Sequence, residues 1–242
     1  MVNKTLLERF ISKYSLGDNV KSVVWTSKDD VLSTDFMTPE KSLLGKVSLD
    51  NFQFEDITLG VYDTAQLSRM LGVLGDDVKL NVLRSEDIAI SLKVEDTNAS
   101  VTFMLSDTKV IPDVPLMKSV PDFELTIKID SNFISRFIAG KNALPDKETF
   151  TVITDFDRET SDCVIGHSSV NTDRITIPFS VDQFAHLDIL SFNANLFAKI
   201  LQANKECGGG KLEISSKGLA RITFRVDDYH AVYNLVATQS AD

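Results

Sequence analysis

The sequence predicts an α+β fold: two similar domains, each with two amphipathic helices packed on one side of antiparallel sheets. Three observations lead there. A six-residue pattern (apolar, apolar, any, basic, apolar, apolar) occurs four times, as LLERFI at 6–11, QLSRML at 66–71, FISRFI at 133–138 and LFAKIL at 196–201, with Gln66 its one departure. Short alternating apolar segments bounded by turn residues lie between these helices. The order helix, several strands, helix, three strands then occurs once on each side of a proline-bearing stretch, so the chain reads as two copies of one domain and each domain as two copies of one unit.

The first helix is expected over residues 4–14. Leu6, Leu7, Phe10, Ile11 and Tyr14 follow the i, i+3, i+4 spacing of a buried stripe, with Arg9 and Lys13 on the opposite face. Gly17-Asp18-Asn19 ends it. Segments 20–26, 31–37, 43–50 and 57–62 read as antiparallel strands, separated by Lys28-Asp29-Asp30, Thr38-Pro39-Glu40 and Asp50-Asn51. Asp63 stands where a carboxylate accepts from the free amides of a helix start. The second helix runs to about residue 74, with Leu67, Met70, Leu71 and Leu74 inward, and Gly75-Asp76-Asp77 stops it. Strands follow at 78–84, 88–94 and 99–105.

Residues 106–122 contain Pro112, Pro115 and Pro121. Proline removes ladder donors and favours extended backbone. The expected linker is 111–121, between domains at 1–110 and 122–242. A strand at 123–129 leads to a third helix capped by Asp130 or Ser131, with Phe133, Ile134, Phe137 and Ile138 inward. Strands are expected at 150–154, 163–166 and 174–181, with a short one near 185–189. Ser191 or Asn193 opens the fourth helix, whose core face is Leu196, Phe197, Ile200 and Leu201. Gly208-Gly209-Gly210 terminates it, and strands 211–215, 220–226 and 230–237 close the pattern.

With 242 residues, 43% of them hydrophobic, the chain can bury a substantial core. No amino-terminal apolar run follows a basic stretch, and no segment approaches the ~20 apolar residues of a membrane helix. The expectation is a soluble, cytoplasmic protein. Cys163 and Cys207 are too few and too far apart for a disulfide framework or a cysteine metal cluster. Net charge is −10, from 35 acidic and 25 basic residues, which on composition alone speaks against nucleic-acid binding. Distribution modifies that. Lys4, Arg9, Lys13, Arg69, Arg136, Lys141, Lys199 and Lys205 lie in the helical stretches, against Glu8 and Glu206, with Asp63 and Asp130 at helix starts. Charge segregated by element can give an acidic protein a basic surface.

Catalytic signatures are missing. Gly208-Gly209-Gly210-Lys211 follows a helix and precedes a strand, the reverse of a phosphate loop, and Leu212 takes the hydroxyl position. His167, His186 and His230 show no metal-ligand spacing. Asp29-Asp30, Asp76-Asp77 and Asp227-Asp228 read as solvated turn residues. No catalytic residue, metal or cofactor is assigned, and the expectation is a non-enzymatic protein.

A single exposed helix cation is ordinary. Four at the same place relative to their apolar pairs are not. If the helices pack equivalently, Arg9, Arg69, Arg136 and Lys199 share one surface. Arg9 and Lys13 also form a like-charge i, i+4 pair, a local cost easier to understand with an anion opposite. The neighbouring positions Ser12, Ser68, Gly72, Ser135, Ala139, Ala198 and Ala203 offer neither stacking aromatics nor base-reading amides. The expected contact is with phosphate, independent of sequence and dependent on salt.

At this point the chain resembles the DNA polymerase sliding clamps, most closely those of T-even-type bacteriophages. The resemblance spans essentially the whole length. It is densest at ITLGVYDTAQLSRMLGVLGDDVKL (57–80), FNANLFAKILQANKECGGGKLEISSKGLARITF (192–224) and HAVYNLVA (230–237), and poor over 157–173. It implies a sliding-clamp fold, a homotrimeric ring whose helices line a central hole for double-stranded DNA, and two partners, a clamp loader ATPase and the replicative DNA polymerase. For a phage-encoded protein the compartment is the host cytoplasm. The eight helical cations match channel-facing positions, with Arg9, Arg69, Arg136 and Lys199 at helix centres and Lys4, Lys13, Lys141 and Lys205 near helix ends. By the same resemblance, 99–105 of one subunit would pair with 174–178 of the next. Val110, Ile111, Leu116 and Met117, with the carboxy-terminal segment, would form a partner groove unless they dock on their own domain. The alternative is an oligomeric β-rich structural or interaction module that binds no nucleic acid.

Overall fold

The computed structural model describes residues 2–117, 119–168 and 171–238, apart from the side chain of Cys207. The chain forms two compact units: Met1–Pro39, Gly45–Pro115 and Asp227–Ala231 make unit 1, and Glu40–Leu44, Leu116–Val226 and Val232–Asp242 make unit 2.

In chain order the first ten elements are β1 (Val2–Asn3), α1 (Lys4–Ser15), β2 (Val23–Lys28), β3 (Val31–Met37), β4 (Leu43–Leu49), β5 (Ile57–Val61), α2 (Thr64–Leu71), β6 (Asp77–Ser85), β7 (Ile88–Glu95) and β8 (Ser100–Met104). A 3-10 turn, Thr108–Val110, follows. Then come β9 (Leu125–Asp130), α3 (Ser131–Ala143), β10 (Thr149–Asp155), β11 (Thr160–Ile165), β12 (Ile175–Pro178), β13 (Ser180–Gln183), β14 (Leu190–Asn193), α4 (Ala194–Ala203), β15 (Gly209–Ser215), β16 (Leu219–Val226) and β17 (Tyr229–Val236).

The two units repeat one connectivity. Unit 1 has strand orders β1-β6-β7-β8 and β4-β3-β2-β5; unit 2 has β9-β15-β16-β17, extended by β13 beside β9, and β12-β11-β10-β14. Within each unit the opening strand of one half joins the sheet of the other. β1 pairs with β6 (Val2 opposite Val78), β5 with β2, β9 with β15, and β14 with β10. The expected duplication is therefore present, with an exchange of first strands that no periodicity announces.

Each helix begins at a side-chain cap. Asn3, Asp63, Asp130 and Asn193 accept from the amides of Thr5 (2.8 Å), Gln66 (2.8 Å), Phe133 (2.7 Å) and Leu196 (2.9 Å). α1 ends at Leu16, which takes the left-handed conformation. α1 packs beside α2, and α3 beside α4. Leu7, Phe10, Ile11 and Tyr14 are buried, as are Leu67 and Leu71, Phe133, Ile134 and Phe137, and Leu196, Phe197, Ile200 and Leu201.

Aromatic rings fill both cores. In unit 1, Phe10 sits edge-on to Tyr14 and Trp25 at 5.5 and 5.7 Å, and the Trp25 indole donates to the Tyr14 hydroxyl at 3.1 Å. That burial pushes the Tyr14 hydroxyl pKa up, opposed by its hydrogen bonds to Thr64 and Trp25. In unit 2, Phe137 lies 4.8 Å from Phe197 and 5.4 Å from Phe150, which stacks on Phe192 at 5.6 Å. Gly45 exists to admit Phe36: a Cβ there would lie 2.2 Å from the buried ring. Gly45→Ala is expected to cost about 1–3 kcal/mol through overpacking, read as a lower urea midpoint; an unchanged midpoint would show that the ring can retreat.

Some expectations are corrected. The strand expected at 174–181 is two strands in two sheets: β12 pairs with β11, β13 with β9. The switch falls at Pro178, whose nitrogen cannot donate, and Phe179, drawn inward against Phe133 at 5.2 Å. No strand forms at 185–189; the pairing segment is β14, immediately before α4. There Leu187 instead exchanges hydrogen bonds with the Thr154 hydroxyl. α4 ends at Ala203, before the three glycines, and a second 3-10 turn, Lys205–Cys207, intervenes.

Candidate nucleic-acid interface

The eight helical cations divide by burial. Arg69 in α2 and Arg136 in α3 are exposed, opposite buried Leu67 and Leu71 and buried Phe133 and Phe137. The Arg136 Nε donates to Asn132 one turn back at 3.1 Å. Lys199 in α4 is half-buried, and Lys205 is exposed in its 3-10 turn rather than on the helix. Around Arg69 and Arg136, the residues Ser68, Gly72, Ser135 and Ala139 are exposed and short.

Arg9 is half-buried and engaged. Its Nη2 donates to Asp227 Oδ2 at 3.0 Å, and its guanidinium lies 4.6 Å from the centroid of the Tyr229 ring. Asp227 and Tyr229 had no sequence signal linking them to α1. Asp227-Asp228 reads as a hairpin turn, and only the fold brings that turn to the first helix. Asp228 stays with the turn's other neighbour, accepting from Asn51 Nδ2 at 2.9 Å.

Three further cations of the expected set are largely buried. Lys13 is fully buried, with its ammonium 5.2 Å from the Tyr229 ring, which corrects its expected place on the exposed face of α1. The aromatic face offsets part of the loss of water around that charge. Lys141 is buried and its ammonium donates to the Pro145 carbonyl at 2.8 Å, beyond the end of α3. Lys4 donates to the Leu74 carbonyl at 2.7 Å and lies 3.6 Å from Glu8. These last two complement carbonyls at element ends.

The strands expected to meet between subunits are both at sheet edges: β8 closes the order β1-β6-β7-β8, and β12 opens β12-β11-β10-β14. Met104 on β8 and Ile88 on β7 are largely exposed. Of the expected groove residues, Val110 and Leu116 are exposed, the latter 91%, and Met117 lies at the margin of exposure, whereas Ile111 is buried in unit 1. Gly60 leaves it that room: a Cβ there would meet the Ser106 carbonyl at 2.2 Å and the Ile111 side chain at 3.3 Å. The carboxy-terminal residues 239–242 lie outside the described residues.

Among the described residues, no cluster of histidine, cysteine and acidic groups is arranged to hold a metal ion, and no helix is long and apolar enough to cross a membrane. Cys163 is buried, and that burial, with Asp162 beside it, pushes its thiol pKa well up, away from reactivity. Gly208 has φ +64, and Gly209 and Gly210 begin β15; a Cβ on Gly210 would lie 2.5 Å from the Phe224 ring. The triglycine thus ends the 3-10 turn and opens β15.

No family model matches the chain, and no curated protein matches it. Among solved structures it is similar to the crystal structure of the proliferating cellular nuclear antigen of Entamoeba histolytica, with a TM-score of 0.75 and 14% identity over 98% of this chain and 96% of that one. The chain has the sliding-clamp fold: four helices on antiparallel sheets in a mixed α+β architecture.

Proposed function

We propose that this chain is a DNA polymerase processivity factor, a non-enzymatic clamp that closes around double-stranded DNA without reading its sequence. The observation that carries the reading is the exposure of Arg69 and Arg136 opposite the buried stripes of their helices, on a sliding-clamp fold. Lys199, Lys205 and Arg9 complete the DNA-facing set; Lys4, Lys13 and Lys141 brace the helices that carry it. A ring holds DNA by topology, so its attraction to phosphate need only be weak and spread out, and tight local contacts would oppose sliding. The overall negative charge discourages DNA from lodging elsewhere.

The subunit is a homotrimer in this reading, closed by β8 of one copy beside β12 of the next, and its domains divide at the 111–121 linker. Val110, Leu116 and Met117 offer apolar side chains to a replicative polymerase and a clamp loader ATPase. Tethering raises the polymerase's effective concentration at the primer end. The segments quoted above support a clamp of the T-even phage type, working in the host cytoplasm.

The test is retention on DNA after treatment with a clamp loader. The protein should remain on nicked circles and run off when the circle is cut once. Equal loss from circular and linear DNA would favour the β-rich module that binds no nucleic acid. Sedimentation equilibrium at three subunits checks the trimer.

A further inference from the structure

Arg9 differs from its counterpart on α3. Arg136 leans on a neutral amide, Asn132, whereas Arg9 is joined to a carboxylate, Asp227, at 3.0 Å. The guanidinium also rests on Tyr229, whose ring is buried and whose hydroxyl donates to the Leu6 carbonyl of α1 at 2.8 Å. The ring is therefore a fixed seat, tied to the helix it serves. Asp227 is the more exposed side of the arrangement: it occupies the turn between β16 and β17 at φ 49, and its side chain is 64% exposed against 28% for Arg9.

We propose that Asp227 is a built-in surrogate for DNA phosphate. It holds Arg9 aimed and partly neutralised when no DNA is present, and competes with phosphate for the same guanidinium when DNA is bound. This inference rests on the DNA-encircling reading. Carboxylate and phosphate are the two anions a guanidinium fork fits. An exposed pair of this kind is weak enough to exchange. Tyr229 keeps the cation in place whichever anion it meets. Because Asp227 already neutralises Arg9, this residue makes less than a full phosphate contact and releases fewer counterions when DNA arrives. The result is a damped grip at α1, which lowers the barrier to movement along the duplex.

The experiment measures binding of the full chain to a short fluorescent duplex across a salt series. Asp227→Asn should tighten binding at low salt and steepen the log–log salt slope, by up to about 0.9 per subunit, the most that one added phosphate contact can give. Asparagine tolerates positive φ, so the turn should survive; circular dichroism checks it. Asp228→Asn makes the same change in formal charge beside Asn51 and should leave the slope alone. In an Arg9→Gln background the Asp227→Asn effect should vanish. Equal effects of the two asparagine variants, or an Asp227→Asn effect that survives without Arg9, would overturn the proposal. R69E/R136E/K199E separates the two levels. If that variant binds like wild type, the DNA reading falls and this inference with it. If it weakens while Asp227→Asn changes nothing, the surrogate alone is wrong.

Discussion

Phe137→Ala should destabilise unit 2 by about 3–5 kcal/mol. The side chain has no exposed surface and touches three other rings: Phe197 at 4.8 Å, Phe150 at 5.4 Å and Phe133 at 6.0 Å. Two of those contacts are edge-to-face, the arrangement worth about 0.5–1.5 kcal/mol beyond area burial. Truncation removes the transfer energy of the ring and leaves a void lined by large, mutually braced neighbours, which cannot collapse into it. Urea unfolding followed by near-ultraviolet circular dichroism reports the change. A shift equivalent to less than about 1 kcal/mol would mean the rings are loosely packed. Ile138→Ala, one residue on and half-buried, should cost clearly less.

The second large effect concerns DNA rather than folding. R69E/R136E/K199E should keep its fold and oligomeric state yet lose processive synthesis on a primed circle, falling to the level of the polymerase alone. Its salt slope for duplex binding should drop by about 0.9 for each phosphate contact removed. The choice of residues matters. Reversing Lys13 would bury a carboxylate, and reversing Lys4 or Lys141 would aim one at a carbonyl oxygen, so loss of function in those variants would report misfolding. Single reversals at Arg69 or Arg136 should have small effects, because the attraction is spread over many groups. A triple variant that still supports processive synthesis would remove the cationic helices from the mechanism.

The helices were legible because their signals are local. Apolar pairs at helical spacing and capping side chains such as Asp63 lie within a few residues of what they specify. Strands with turn residues at both ends, such as 31–37, were equally clear. What stayed hidden depends on partners distant in sequence. β1 has only two residues and no periodicity; it is a strand because β6 lies beside it. The run Ile175 to Val181 alternates without interruption, and nothing in the alternation says that its two ends belong to different sheets. The cations show the same limit. Arg9 and Lys13 look alike on a helical projection and both lie over the Tyr229 ring, yet Lys13 is fully buried and Arg9 only half. A periodicity argument places a residue on a face, but not beneath whatever later covers that face.

The exchange of opening strands has a consequence for synthesis. While β1 and α1 emerge from the ribosome, the partner of β1 does not yet exist, since Val2 must wait for Val78. Half of a unit, released alone, would present unpaired edges on which other chains could template. Such long-range closure slows folding. Arg9 waits longer still, because Asp227 and Tyr229 are translated more than two hundred residues after it. A truncated nascent product would therefore carry an unfinished first helix face, recognisable to chaperones and proteases before it could join an assembly.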